Sequence, residues 1–165
     1  MVTPMRGVRK KEVFVVLHNV RSVHNVGSIF RTTDAAGVYK IFLTGYTPTP
    51  ADRFGRTRRD LAKTALGAEK SVLWEYVKNI STLVSRLKKE KVTIVALEQA
   101  ENSVDYKKIK PRLPFALILG NEVRGISKSI LKKCDLVCEI PMRGQKESLN
   151  VSVALGIALF RILDI

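Results

Sequence analysis

Hydrophobic positions in this chain gather into short, nearly unbroken runs. Val13 to Leu17, Val38 to Thr44, Val92 to Leu97, Phe115 to Leu119 and Leu136 to Ile140 are mostly apolar and rich in β-branched residues. Runs of this length without strict alternation predict strands buried on both faces. The intervening stretches change period. A segment opened by Asn25 and Gly27 reads as a helix ending near Gly37, and Ser127 to Lys133 reads as a short helix. Ser81 to Glu90 places Leu83, Val84 and Leu87 on one side and Arg86, Lys88 and Lys89 on the other, which predicts an amphipathic helix. Strands alternating with helices predict an α/β fold with a mostly parallel sheet flanked by helices.

The last element, Asn150 to Leu163, departs from that amphipathic pattern. Its apolar residues surround the helix on every side, so it needs burial on more than one face. One face can cover the sheet. A domain of 165 residues has little room to enclose its final helix, so the second face predicts a homodimer.

Composition sharpens this picture. With 45% hydrophobic residues, 165 positions suffice for one core, so residues 1–165 are expected to form a single domain with a basic tail over 1–11. Lys and Arg total 29 against 15 acidic residues, a net charge of +14 that implies a polyanionic partner, nucleic acid first. No segment is long enough to span a membrane and the first residues lack a signal-peptide core, so a cytoplasmic protein with no membrane partner is expected. The densest positive stretch carries Arg53, Arg56, Arg58, Arg59 and Lys63 and reads as an RNA-facing loop, with Arg6, Arg9, Lys10 and Lys11 of the tail as a second contact.

The remaining chemistry is sparse. Cys134 and Cys138 stand four apart with no second pair and no nearby histidine, so they are expected to be reduced thiols and not metal ligands. His18 and His24 have no nucleophile or metal partner in sequence and are read as structural or RNA-contacting. Neither the dinucleotide pattern Gly-x-Gly-x-x-Gly after the first strand nor a P-loop occurs.

Three polar segments instead follow predicted strands: Asn25-Val-Gly27-Ser-Ile-Phe-Arg31, Gly120-Asn121-Glu122-Val-Arg-Gly125, and the run from Ile140 through Ser148 and Leu149 to Asn150. Each alone reads equally well as a helix cap or a glycine turn. In this order, before an apolar terminal helix, they suit a ligand held by loop amides and a reaction that needs no metal. Together they resemble the motifs of the SpoU family of RNA ribose 2'-O-methyltransferases, in the knotted SPOUT superfamily. Lys63-Thr-Ala-Leu-Gly67-Ala-Glu69 is also similar to members of that family.

The resemblance implies an α/β fold with a deep C-terminal trefoil knot and a homodimer. It implies S-adenosylmethionine held by loop backbone near Leu97, at Gly120, and from Ile140 through Ser148 to Leu149. Arg31 matches the family's catalytic arginine, in an active site completed by the partner subunit, and Glu122 matches its acid. Asn25 is expected to orient Arg31 or the ribose, Glu122 to fix its loop or Arg31, and Ser148 and Asn150 to shape the third loop. No separate RNA-binding domain, such as some members carry, is expected, so RNA capture is expected to fall to the basic residues of this domain. The expected reaction is methylation of a ribose 2'-hydroxyl in tRNA or rRNA. The alternatives are a non-catalytic RNA-binding or assembly protein on the same fold, and a base methyltransferase of a related knotted family.

Overall fold

The five apolar runs become the middle of a seven-stranded sheet in the computed structural model, which describes residues 12–165. The strands are β1 (Val13–His18), β2 (Lys40–Thr44), β3 (Leu73–Val77), β4 (Thr93–Leu97), β5 (Val104–Asp105), β6 (Phe115–Leu119) and β7 (Leu136–Glu139). Their order is β3-β2-β1-β6-β4-β7-β5, and every pairing is parallel. The helices are α1 (Val23–Ala35), α2 (Arg59–Ala65), α3 (Ala68–Ser71), α4 (Ile80–Lys89), α5 (Lys128–Leu131) and α6 (Val151–Leu163).

Near-continuous apolarity in the strands has a direct structural cause. Val13, Val15 and Leu17 of β1 face a core shared with α1, α2 and α6, while Phe14 and Val16 face a second core shared with α4 and α5. Helices therefore cover both faces, as parallel sheets require. The helix starts are polar and local. Asn79 caps α4 through the Ser81 and Thr82 amides, and Asn150 caps α6 through the Ser152 and Val153 amides. Ser22 caps α1, with its side chain accepting from the Asn25 amide, so Asn25 lies in the first turn and does not begin the helix.

Pattern reading overlooked the edges. In β3, Glu75 stands among half-buried and exposed residues, so no apolar run marks the strand, and β5 has only two residues. The basic stretch is also corrected: Arg53, Arg56 and Arg58 precede α2, but Arg59 and Lys63 lie on it. Few apolar residues separate its charges, so the helix period was hidden. The basic tail lies outside the described residues.

Gly27 shows why α2 exists where it does. A Cβ at Gly27 would collide with the Thr64 hydroxyl and stand 2.6 Å from the Leu61 carbonyl oxygen, so α1 and α2 touch backbone to backbone. Gly27→Ala is expected to lower stability by about 1–3 kcal/mol through overpacking, despite alanine's higher helix propensity. Chemical denaturation measures this, and unchanged stability would show that the two helices can separate at no cost.

The final helix buries Val151, Leu155, Ala158 and Leu159, whereas Val153 and Ile157 remain 48% and 39% exposed. The single chain thus covers one face of α6 and leaves the other open. The cysteines are free thiols on different sides of the sheet, Cys138 in the core beneath α1 and α6 and Cys134 against the core beneath α4. Burial pushes Cys134 up to about 11 and Cys138 up to about 12, so both stay protonated.

Candidate active site

Because all strands run the same way, their carboxyl ends share one edge of the sheet, where parallel α/β folds place their ligands. The loops after β4, β6 and β7 enclose a cavity of about 320 Å³ there, within the size range of small-molecule sites. Leu97, Gly120, Ile140, Ser148 and Leu149 all line it, together with Leu119, Met142 and Val151. Its charged lining residues are all carboxylates: Glu98, Glu122, Glu139 and Glu147. An acid-lined cavity in a chain of net charge +14 is compatible with a cationic ligand.

Glycines let the loop after β6 fold tightly against this cavity. A Cβ on Gly120 would stand 2.6 Å from both the carbonyl carbon and oxygen of Gly125. Gly125 adopts φ +64°, and a Cβ there would collide with the Glu98 carboxylate. Glu98 is held in place by accepting from the Ile126 amide at 2.8 Å and the Gln99 amide at 2.9 Å. Gln99 in turn donates through Nε2 to the Glu147 carbonyl at 2.7 Å, joining the loops after β4 and β7.

A polar chain then links the three motifs. Glu122 accepts from the Arg21 amide at 3.0 Å, the Ser22 amide at 3.1 Å and Asn25 Nδ2 at 3.2 Å. Asn25 Oδ1 accepts from Asn150 Nδ2 at 3.0 Å, while Asn150 Oδ1 caps α6. Thus Glu122, Asn25 and Asn150, separated by 97 and 125 residues, form one array across the starts of α1 and α6. Partial burial disfavours the charged form of Glu122, but the Arg21 and Ser22 amides with Asn25 outweigh it and hold the carboxyl below its ordinary 4.5.

That depression fixes a pH dependence. A carboxyl with a lowered folded pKa adds stability above its unfolded value, and the contribution disappears as pH falls through the folded one. Thermal melting of the wild type should therefore lose stability on descending below its ordinary 4.5. Glu122→Gln, which cannot ionise, should weaken that acid limb. Superimposable melting-versus-pH curves would show that the bonds to Arg21 and Ser22 contribute nothing.

Arg31 behaves differently. It is exposed on α1, is absent from the cavity lining, and has no side-chain hydrogen bond or ion pair among the described residues. Within the chain neither Asn25 nor Glu122 bonds to Arg31: their bonds go to the start of α1 and to Asn150, so of the expected alternatives Glu122 holds its loop, and Asn25 is left to the ribose. Ser148 is exposed at the cavity and leaves the capping of α6 to Asn150. His18 Nδ1 pairs with Thr44 Oγ1 at 2.8 Å, and burial lowers its pKa, so it serves as a neutral strut. His24 is exposed in the first turn of α1. Sequence reasoning missed Glu98 and Glu139. Glu98 directly follows β4 and Glu139 ends β7, the strand-end positions from which a parallel sheet addresses its ligand.

The model of the SpoU rRNA methylase family matches residues 12–160. The chain belongs to that family. A Staphylococcus saprophyticus protein named for the TrmH family of tRNA/rRNA methyltransferases is 32% identical, over 98% of this chain and 62% of its own length. An AdoMet-bound rRNA methyltransferase from Sinorhizobium meliloti superposes with a TM-score of 0.80 at 29% identity, covering 93% of this chain and 56% of that one. The A. aeolicus TrmH/SpoU tRNA modifying enzyme gives 0.79 at 30% identity, with 94% and 76% covered. This SpoU-family chain therefore spans about 60% of the curated relative. Among the described residues no helix is long and apolar enough to cross a membrane, and no three His, Cys, Asp or Glu side chains are grouped to hold a metal.

Proposed function

We propose that this chain methylates a ribose 2'-hydroxyl of structured RNA, tRNA or rRNA, using S-adenosylmethionine, as a homodimer in the cytoplasm. The observation that carries this reading is the cavity: apolar walls with only carboxylates as charged lining, joined to a motif array that begins two helices. Such walls suit an adenosine bearing a cationic sulfonium. Family membership and the AdoMet-bound relative support the same ligand.

When bound, S-adenosylmethionine supplies an electrophilic methyl carbon. Leu97, Gly120, Ile140, Ser148 and Leu149 hold it by loop backbone and apolar contact. Glu122, Asn25 and Asn150 keep the loop after β6, α1 and α6 in register, so that the cavity mouth is preorganised. Arg31 offers five N–H donors and no acceptor, which suits it to binding oxygen atoms and not to taking a proton. Its role is to clamp a substrate phosphate and polarise the hydroxyl, whose proton leaves to that phosphate or to a water. The absence of Arg31 from its own chain's cavity lining supports a role at the cavity of the partner subunit. The open face of α6, with Val153 and Ile157, supplies the apolar surface for that two-fold contact. The segment between β7 and α6, tied to Gln99 at Glu147, is proposed to thread the trefoil knot.

RNA capture is assigned to the exposed Arg53, Arg56, Arg59 and Lys63, with the half-buried Arg58 next to them, and to the basic residues of the 1–11 segment. The test incubates RNA with the protein and S-adenosylmethionine, then maps methyl groups by mass spectrometry of nuclease fragments. The expected product carries its methyl on ribose and resists alkaline cleavage at that linkage. A methyl on the base would reassign the chain to base modification, and binding without transfer would reassign it to a non-catalytic role.

A further inference from the structure

Within the basic stretch, one large apolar side chain is exposed. Phe54 is 66% exposed, an unusual place for a large apolar ring unless something covers it. The Arg53 guanidinium lies 4.7 Å and that of Arg56 5.0 Å from its ring centroid. The turn beneath is rigidly built. Ala51 and Thr57 pair as an antiparallel bridge, and the Asp52 amide donates to the Arg56 carbonyl at 2.9 Å. Asp52 Oδ1 accepts from the Phe54 amide at 2.8 Å and the Arg56 amide at 2.9 Å, while Oδ2 accepts from Arg56 Nε at 2.8 Å. Gly55, at φ +77°, closes the tip.

Resting on the RNA reading above, we infer that the 51–57 turn is a stacking finger for an unpaired nucleobase, with Phe54 as the platform and Arg53 and Arg56 taking the flanking phosphates. The physical argument is one of complementarity. An aromatic ring offers every base a π-face, and the guanidinium groups now lying over that ring would yield the face to the base and turn to its phosphates. A duplex hides its base faces in the stack, so the finger selects a loop, bulge or end. The turn lies in the connection between β2 and α2, and α2 docks on the motif-bearing α1 at Gly27, so a base held there is fixed relative to the helix that carries Arg31. Pre-ordering by Asp52 means that the ring is already presented before RNA arrives.

The test compares wild type, Phe54→Ala, Phe54→Leu and Phe54→Trp on two RNAs of equal length, a hairpin with an unpaired loop and a fully paired duplex, at several salt concentrations. Phe54→Ala and Phe54→Leu should each lose about tenfold or more in affinity for the hairpin, with the slope of log affinity against log salt unchanged. Phe54→Trp should retain it, and duplex affinity should move by less than about twofold in every variant. Because the side chain is exposed, folding is not at stake, and circular dichroism checks it. Unchanged hairpin affinity in Phe54→Ala would overturn the finger while leaving salt-dependent RNA binding by wild type intact. Equal losses on hairpin and duplex would equally overturn it. If Phe54→Ala instead shifted the sedimentation of the dimer without touching RNA affinity, the ring would belong to a protein interface. Absence of salt-dependent binding by wild type to either RNA would remove the RNA reading and the finger with it.

Discussion

Unfolding Arg31→Ala and Asn150→Ala together and refolding them as a mixture is expected to restore the proposed methyl transfer to about a quarter of wild type, although each variant alone is expected to be inactive. The expectation follows from where the side chains stand. Asn150 caps α6 beside the cavity and bonds to Asn25, whereas Arg31 is exposed and outside the cavity lining of its own chain. If Arg31 serves the partner's cavity, a mixed dimer has one site with both defects and one with neither. Random assortment makes about half of all dimers mixed, and half of their sites work. If Arg31 serves its own cavity, every site in a mixed dimer carries one defect and activity stays absent. Native mass spectrometry confirms that mixed dimers formed, so failure to recover would count against the shared site. The proposed methyl transfer by the wild type would be untouched by that result.

The second large effect is expected at Gly120. Its missing side chain lets the Gly120–Gly125 loop close on itself: a Cβ would stand 2.6 Å from the Gly125 carbonyl and 2.7 Å from Ile126 Cγ1. A β-branched side chain cannot be accommodated by a rotamer change, because backbone atoms are in the way. Gly120→Val should therefore push the loop into the cavity and weaken S-adenosylmethionine binding by about a hundredfold or more, the equivalent of roughly 3 kcal/mol of overpacking strain. Calorimetry measures the affinity and circular dichroism verifies the fold. Retained affinity in a folded variant would separate the cavity from cofactor binding. A Gly125 replacement would be less diagnostic, since its φ of +64° adds backbone strain to the collision with Glu98.

Much of the scaffold was legible because burial on two faces leaves a signature on every residue of a strand. Phe115–Leu119 reads as a strand at once, since all five of its residues are buried. The edge strand β3 leaves no such trace: it exposes Leu73 and Tyr76 and carries Glu75, which pairs at 2.8 Å with Arg86 and 3.4 Å with Lys40. Helix α2 was hidden for a related reason, since only Leu61 and Ala65 of it are buried and its basic residues suggested a loop. At the candidate site, Glu98 and Glu139 were missed, while Leu97, Gly120, Ile140, Ser148 and Leu149 of the cavity lining were named through family resemblance. Their partners were not, because a hydrogen bond such as that from Asn150 to Asn25 leaves no periodicity in a chain.

By itself, the sequence determined the parallel α/β class, the buried central strands, the strongly cationic character and the positions of three motifs, because each is written in local pattern or composition. It also marked α6 as a helix with more apolar surface than one chain covers. Tertiary structure alone decided the order β3-β2-β1-β6-β4-β7-β5 and the direction of Glu122 toward the start of α1. It alone drew Glu98, Glu122, Glu139 and Glu147 into one acidic cavity and set Arg31 outside it. The physical reason is range: a side chain's tendency toward helix or strand depends on its near neighbours, whereas the charge of a cavity depends on which distant loops the packed sheet brings to the same edge.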